Sequence, residues 1–368
     1  LGWLADRRAR RGLIVAGIAA WSVMTAACAL ARGYAGLFLT RIGVGVGEAT
    51  LSPAAYSILG DYFPREKLGR AMAVYSIGVP LGSGIALVAG SLVVKFVTEG
   101  PNVELPLLGA LAPWRLTFLW IGLPGLLVAA LVALTVREPR RLGAVSETPK
   151  GDFSAFLREH PAAIAAHFAG MSLVALVMYG AMAWIPQFLH RTYAMPVPQA
   201  GLWFGIATAA CGACGLLLGG WLADSLYRRG FKDAHLRVIR LNAILLAPLF
   251  IGMALAPTAE VALTLMIVGM LAGTIHGGVA GAALQLITPN RLRARMVALY
   301  FLVANLVGLG LGPTAIALVT DLAFGDDAAL RYGLAIVTGV ALPLSAVILT
   351  LGLKPFARAV EAAEARAG

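Results

Sequence analysis

Long apolar runs, broken by short arginine-rich connections, account for nearly the whole chain. A bilayer-spanning helix needs about 20 mainly apolar residues. By that ruler the pattern predicts ten helical spans near 13–31, 35–60, 71–94, 114–136, 161–188, 199–223, 238–256, 260–287, 297–322 and 332–353. The pattern changes over residues 137–160, which are polar and charged; there "DFSAFLREH" predicts a short helix with Phe153, Phe156 and Leu157 lying on the membrane surface. After Lys354, "PFARAVEAAEARAG" reads as a helix-prone tail.

Composition sharpens this picture. Hydrophobic residues make up 60% of the chain and charged ones 13%, where a soluble domain carries about 25%; the mean hydropathy is +0.84. The 43 glycines suit close helix packing in a membrane. Cys28, Cys211 and Cys214 all fall in apolar runs and offer neither a disulfide framework nor a metal cluster. With the opening segment on the cytoplasmic side, alternation puts most lysines and arginines on that face and leaves the other only Arg32, Lys95, Arg115, Arg191 and Arg331. The net charge of +11 therefore reflects topology and does not call for a nucleic-acid partner. The expected location is the cell membrane, with the opening motif, the central loop and the C-terminal tail cytoplasmic.

The chain is also written twice. "GWLAD…RRG" at 2–12 recurs as "GWLAD…RRG" at 220–230, a constant offset of 218 residues. Two spans, 161–188 and 199–223, precede the second copy, so repeat symmetry leads us to expect two further helices before residue 1. The predicted fold is all-α and integral to the membrane, with two pseudo-symmetric six-helix bundles. Residues 1–142 form an N-terminal bundle with four of its six spans in the chain, 143–160 a cytoplasmic linker, 161–354 the C-terminal bundle and 355–368 the tail.

Two copies of G-x-L-A-D-x-x-x-R-R-G, each between the second and third spans of a six-span half, resemble the signature of the major facilitator superfamily. "RIGVGVGEA" at 41–49, "RAMAVY" at 70–75, "PLGSG" at 80–84, "WRLTF" at 114–118 and "VREPRR" at 136–141 are further similar to its spinster-like subfamily. The resemblance implies alternating access, with amphiphilic lipids of the lysophospholipid or sphingolipid type as cargo. It also implies that the repeated motifs act as latches on one side of that cycle: Asp6, Arg10 and Arg11 with Asp61 in the first half, and Asp224, Arg228 and Arg229 in the second. An aspartate at a helix end can accept backbone N–H groups and arginines can pair with neighbouring acids; helix capping and topology account for the same residues more plainly.

Within "RIGVGVGEA" the spacing Gly43, Gly45, Gly47 lacks the third glycine of a dinucleotide loop, whose place Glu48 takes, and no strand precedes it. Arg41 and Glu48 stand seven residues apart, within about 20° of one helix face and about 10.5 Å along the axis. A charge at membrane depth costs a few kcal/mol and marks a pathway, so Glu48 is expected to carry the coupling proton and Arg41, with Glu48, to bind substrate. A structural latch to a helix preceding the chain is the alternative. Aligning Pro64 with Pro289 (offset 225) sets Met266 and Gly273 opposite Arg41 and Glu48, so the halves are chemically unequal. His276, Tyr179, Asn305 and Gln285 are candidate polar contacts in the second half, and Trp184, Phe204, Met171 and Met178 a candidate apolar wall; core packing explains each as well. Pro80 with Gly82, and Gly312 with Pro313, lie in equivalent spans and are candidate gating bends. No cofactor or metal is implied, and no nucleophile–base set for an enzyme is visible. The expected activity is proton-coupled transport by a monomer whose partners are a small amphiphilic substrate, protons and the bilayer. A proton-coupled exporter of drugs or organic anions is the alternative; a membrane receptor would not need the duplicated motif.

Overall fold

The computed structural model describes residues 9–62, 65–99, 104–105, 109–110, 113–139, 153–289 and 292–365. Helix dominates. Among the described residues the one sheet is a hairpin of two-residue strands, β1 (Glu104–Leu105) and β2 (Gly109–Ala110). Nine helical segments there are long and apolar enough to cross a membrane. The fold class read from the sequence, all-α and membrane-spanning, holds.

The chain divides into two compact units. The first takes in residues up to Val79 together with Ala89–Glu147. Its described helices are α1 (Arg10–Ala27), α2 (Tyr34–Glu48), α3 (Leu51–Tyr62), the outer parts of α4 (Arg65–Glu99), α5 (Pro113–Gly122) and α6 (Pro124–Thr135). A small core of Ile14, Ile18, Ala54, Ile58 and Ala129 joins α1, α3 and α6. Between α1 and α2, packing is close enough that a Cβ on Gly47 would lie 2.9 Å from both the Gly17 carbonyl and the Trp21 nitrogen. Only a missing side chain allows that approach.

The stretch expected as one span over 35–60 is two helices, with a turn at Ala49–Thr50. The cause lies in the sequence: a proline at position 53 has no N–H to offer the Ala49 carbonyl. The Thr50 N–H turns instead to the Gly47 carbonyl, which also accepts from Thr50 Oγ1 at 2.8 Å.

The second unit holds Pro80–Val88 and everything from Thr148 onward. Its helices are α7 (Phe153–Glu159), α8 (Pro161–Tyr193), α9 (Val197–Arg228), α10 (Ala234–Ala254), α11 (Ala259–Thr274), α12 (His276–Ile287), α13 (Arg293–Val319) and α14 (Leu330–Ala365). Prolines open α8 and follow the start of α9, where a missing N–H costs nothing. Polar side chains tie helices to one another's backbones: Ser345 Oγ donates to the Gly170 carbonyl (2.8 Å) and Asn242 Nδ2 to that of Ala272. Such contacts contribute about 0.6 kcal/mol each inside a membrane. At the other end Arg331 donates to the carbonyls of Ala254 and Ala256, both at 3.1 Å, and so closes the C-terminus of α10. The Pro80–Val88 segment of α4 packs on α9 within this unit, with Gly84 against Gly205 and Ala209, and Pro80 over Gly212.

A short helix α7 forms in the connection, but its apolar side is not laid on the membrane surface. Phe156 is buried in a core with Ala163, Leu353 and Phe356, and Phe153 and Leu157 pack against it. A neighbouring apolar core offers a ring more complete removal from water than an interface does.

Candidate functional site

In the first unit Arg41 and Glu48 project from one helix, α2. Val44 and Gly47 are its buried face, while Arg41, Gly45 and Glu48 are exposed. Glu48 is the last residue of α2, and no basic residue occupies that turn. The negative end of the helix dipole disfavours a fixed anion there, so Glu48 is not placed as a cap. Behind the pair, Cys28 Sγ lies 3.2 Å from Thr40 Oγ1 and Gly43 meets Met24, which anchors α2 on α1.

The second unit has a matching break. At the offset of 225, the Ala49–Thr50 turn corresponds to Thr274–Ile275, and Ile275 separates α11 from α12. No proline causes this one. Its neighbours are Gly273, Gly277 and Gly278, and Gly219 of α9 comes up against the Ile275 carbonyl. His276 begins α12, and its Nδ1 is buried with no hydrogen-bond partner among the described residues.

Other candidates fall into pairs. Tyr179 donates to Asn305 Oδ1 at 2.9 Å, joining α8 to α13. Trp184 Nε1 donates to the Pro313 carbonyl at 2.9 Å, with Arg191 stacked 5.8 Å from its ring centre. Gly312 is packed against the Leu176 carbonyl and Gly180, whereas Gly82 is exposed with open space around it. Met178 touches Gly273. Met171 and Phe204, read as part of an apolar wall, are enclosed in the core. The Gln285 carbonyl accepts from Arg293.

The two copies of the repeated motif differ. Asp6 lies outside the described residues. Arg10, 1% exposed, pairs with Asp61 and, at 2.9 Å, with Glu138; its NH2 reaches the Pro139 carbonyl at 3.1 Å. The backbone N–H of Arg11 donates to the other Glu138 oxygen at 2.7 Å, and its guanidinium to the Ala133 carbonyl. In the second copy Asp224, Arg228 and Arg229 are exposed and have no ion pair among the described residues. That end is tied instead by Lys232 to Glu364 (2.8 Å), with Tyr227 donating to the same carboxylate. Glu364 holds the Lys232 amine above its ordinary value, chiefly through this hydrogen bond. Glu138 and Glu364 were missed in the sequence; for Glu138 the signal was an acid in "VREPRR" directly after a span.

Glu138 gives the cluster a pH dependence. Burial pushes its carboxyl up, but the backbone N–H of Arg11, then the side chain and N–H of Arg10, outweigh this and hold it below the usual 4.5. A lowered carboxylate stabilises the fold above about pH 4.5 and loses that contribution as pH falls through its native value. Asp61→Asn should cost about 3 kcal/mol at pH 7, because a buried cation loses one of the two carboxylates it is paired with among the described residues. Glu138→Gln should be milder at pH 7 and should flatten the loss of melting temperature on acidification below pH 4.5. Melting in detergent at pH 7 and pH 3.5 tests both; a melting point unmoved by Asp61→Asn rules the cluster out as a stabilising element.

Residues 1–313 match the family model of the Major Facilitator Superfamily. The chain belongs to that superfamily. Among relatives of this facilitator, an MFS-type efflux pump of Mycolicibacterium smegmatis is 28% identical over 92% of the chain and 75% of its own length. Protein spinster homolog 1 of Homo sapiens is 30% identical over 87% of the chain. The chain spans 62% of that relative's length and 52% of the Drosophila melanogaster protein spinster. Among solved structures, a bacterial homolog to the human lysosomal transporter Spinster, inward-facing and unoccupied, superposes with a TM-score of 0.73 at 26% identity, covering 98% of this chain and 85% of the other. The facilitator is thus a multi-pass membrane protein similar to the spinster proteins.

Proposed function

We propose that the protein is a proton-coupled secondary transporter that moves an amphiphilic, lipid-like molecule of the lysophospholipid or sphingolipid type by alternating access. Transport as such follows from the superfamily; the cargo and the coupling are our reading. The observation that carries it is the pairing of Arg41 and Glu48 on the exposed side of α2, in spans otherwise almost free of charge. An arginine can take a phosphate through two parallel hydrogen bonds. A carboxylate two turns away can exchange a proton as cargo comes and goes, and the resemblance of "RIGVGVGEA" and the accompanying motifs to the spinster-like subfamily implies a lipid. In the second half, the Tyr179–Asn305 pair, Trp184 and His276 are proposed substrate contacts. Asp6, Arg10, Arg11 and Asp61, with Asp224, Arg228 and Arg229, are proposed to latch one state. Pro80, Gly82, Gly312 and Pro313 are proposed bending points, and the protein is read as a monomer in the cell membrane with its basic loops cytoplasmic.

A second reading, export of drugs or organic anions, is favoured by the M. smegmatis pump, of which the chain covers the larger share. Proteoliposomes loaded with a panel of lysolipids and organic anions, with and without a pH gradient, separate the two. Lysolipid movement accelerated by the gradient is expected. Movement of organic anions alone would transfer the assignment to the pump-like reading.

A further inference from the structure

A groove of about 360 Å³ runs along the outside of the second unit between α8 and α14. Ala162, Ala165, Ala166 and Ala169 line one side, and Ile348, Leu351 and Gly352 the other. Its floor is a close crossing, for a Cβ on Gly352 would run into Ala166. On either side of that crossing, alanines too short to fill the notch leave it open, and Leu351 stands as a wall, 72% exposed. A lengthwise slot lined by methyl groups fits a hydrocarbon chain.

One end of the slot is basic. Arg358 lies within about 20° of the azimuth of Leu351 and about 10.5 Å further along α14. Lys354 sits between them in sequence, and Arg158 lies in the last turn of α7, just before α8 begins. All three are exposed and have no ion pair among the described residues. The N-terminus of α8, the positive end of its dipole, opens at the same place. Of the acids nearby among the described residues, Glu364 is bound to Lys232, whose charge also attracts Glu361, and Glu159 closes α7.

We propose that this groove binds an anionic phospholipid of the bilayer leaflet on the basic side of the protein. One acyl chain lies against the alanine stripe, and the phosphate is held by Arg358, Lys354 and Arg158. Basic residues at a helix–helix groove select anionic head groups, each adding about a fivefold preference. None of the residues lining this groove is a proposed substrate contact; on α8 they end at Ala169, about 15 Å along the axis from Tyr179.

Native mass spectrometry of the purified full chain in detergent tests it, with phosphatidylglycerol, phosphatidylcholine of matched chains and glycerol phosphate as probes. Phosphatidylglycerol should be retained over phosphatidylcholine. The double change Lys354→Gln with Arg358→Gln should weaken its retention by about 25-fold. Ala165→Leu, which fills an exposed notch, should lower retention of both lipids; Ala169→Leu serves if that variant does not fold by circular dichroism. Arg41→Ala should leave retention unchanged. The proposal is overturned if the charge and groove variants both retain phosphatidylglycerol as before, if glycerol phosphate displaces it fully, or if Arg41→Ala abolishes binding, since the lipid would then occupy the cargo site. It is equally overturned by a dimer that Ala165→Leu dissolves without changing lipid retention, which would make a second copy the occupant.

Discussion

Glu48→Gln is expected to leave a folded, substrate-binding transporter whose transport no longer responds to an imposed pH gradient. The replacement keeps the shape of the side chain and removes its ability to lose a proton. Among the carboxylates of the chain, Asp61 is engaged with Arg10, Glu260 sits in the first turn of α11 and Asp321 in the π-helical turn after α13. None of them falls inside an apolar run, away from its ends, as Glu48 falls inside that of residues 35–60. If Glu48 couples protons to cargo, the variant must lose accumulation but keep exchange of substrate for substrate, because exchange needs binding and reorientation without a net proton. The loss of gradient-driven accumulation should be tenfold or more, as a coupling worth about 1.4 kcal/mol per decade disappears. Proteoliposomes with labelled lysolipid and a controlled internal pH measure both modes. Accumulation against a gradient that persists in Glu48→Gln would falsify the assignment and move the proton site elsewhere in the protein.

Arg41→Ala should remove nearly all transport of an anionic amphiphile. Hydrogen bonds to a charged group contribute about 1.5–3 kcal/mol, so loss of a two-pronged phosphate contact weakens cargo binding by about one to two orders of magnitude. Arg41→Lys should fall between wild type and alanine, since an ammonium keeps the charge but cannot present the planar fork. A neutral amphiphile of equal chain length should be affected several-fold less. Binding titrations and uptake with matched anionic and neutral lysolipids give the comparison. Equal loss for both cargoes assigns Arg41 to structure or coupling and removes it from the head-group site.

Much of this was legible in the residues because membrane chains are written in a restricted code. Apolar runs and arginine clusters located the helices, and the duplicated "GWLAD…RRG" exposed the internal repeat. What escaped were effects of tertiary geometry. Pro53 announced a break that a hydropathy window smooths over, and the corresponding break at Ile275 carries no proline at all, only glycines and the approach of Gly219. The candidate latch was readable as Arg10 with Asp61, but its third member, Glu138, lies over a hundred residues away, and only folding brings it back. Phe156 was misjudged for a related reason. An amphipathic seven-residue helix looks the same in sequence whether its apolar side meets lipid or protein, and the partner core at Phe356 is two hundred residues downstream.

The joint at Ala49–Thr50 has a mechanical consequence. In a continuous helix every residue inherits its azimuth from those before it, so a change at the Asp61 end would swing Glu48 and Arg41 together. With the i→i−4 ladder interrupted, the phase is reset. The orientation of the Arg41–Glu48 stripe is fixed by α2 and its glycine contacts with α1, and α3 can twist about its own axis without imposing that rotation on α2. One residue inserted within α3 should therefore leave the stripe in place, whereas one inserted between Arg41 and Glu48 should rotate one charge about 100° relative to the other and leave them about 80° apart.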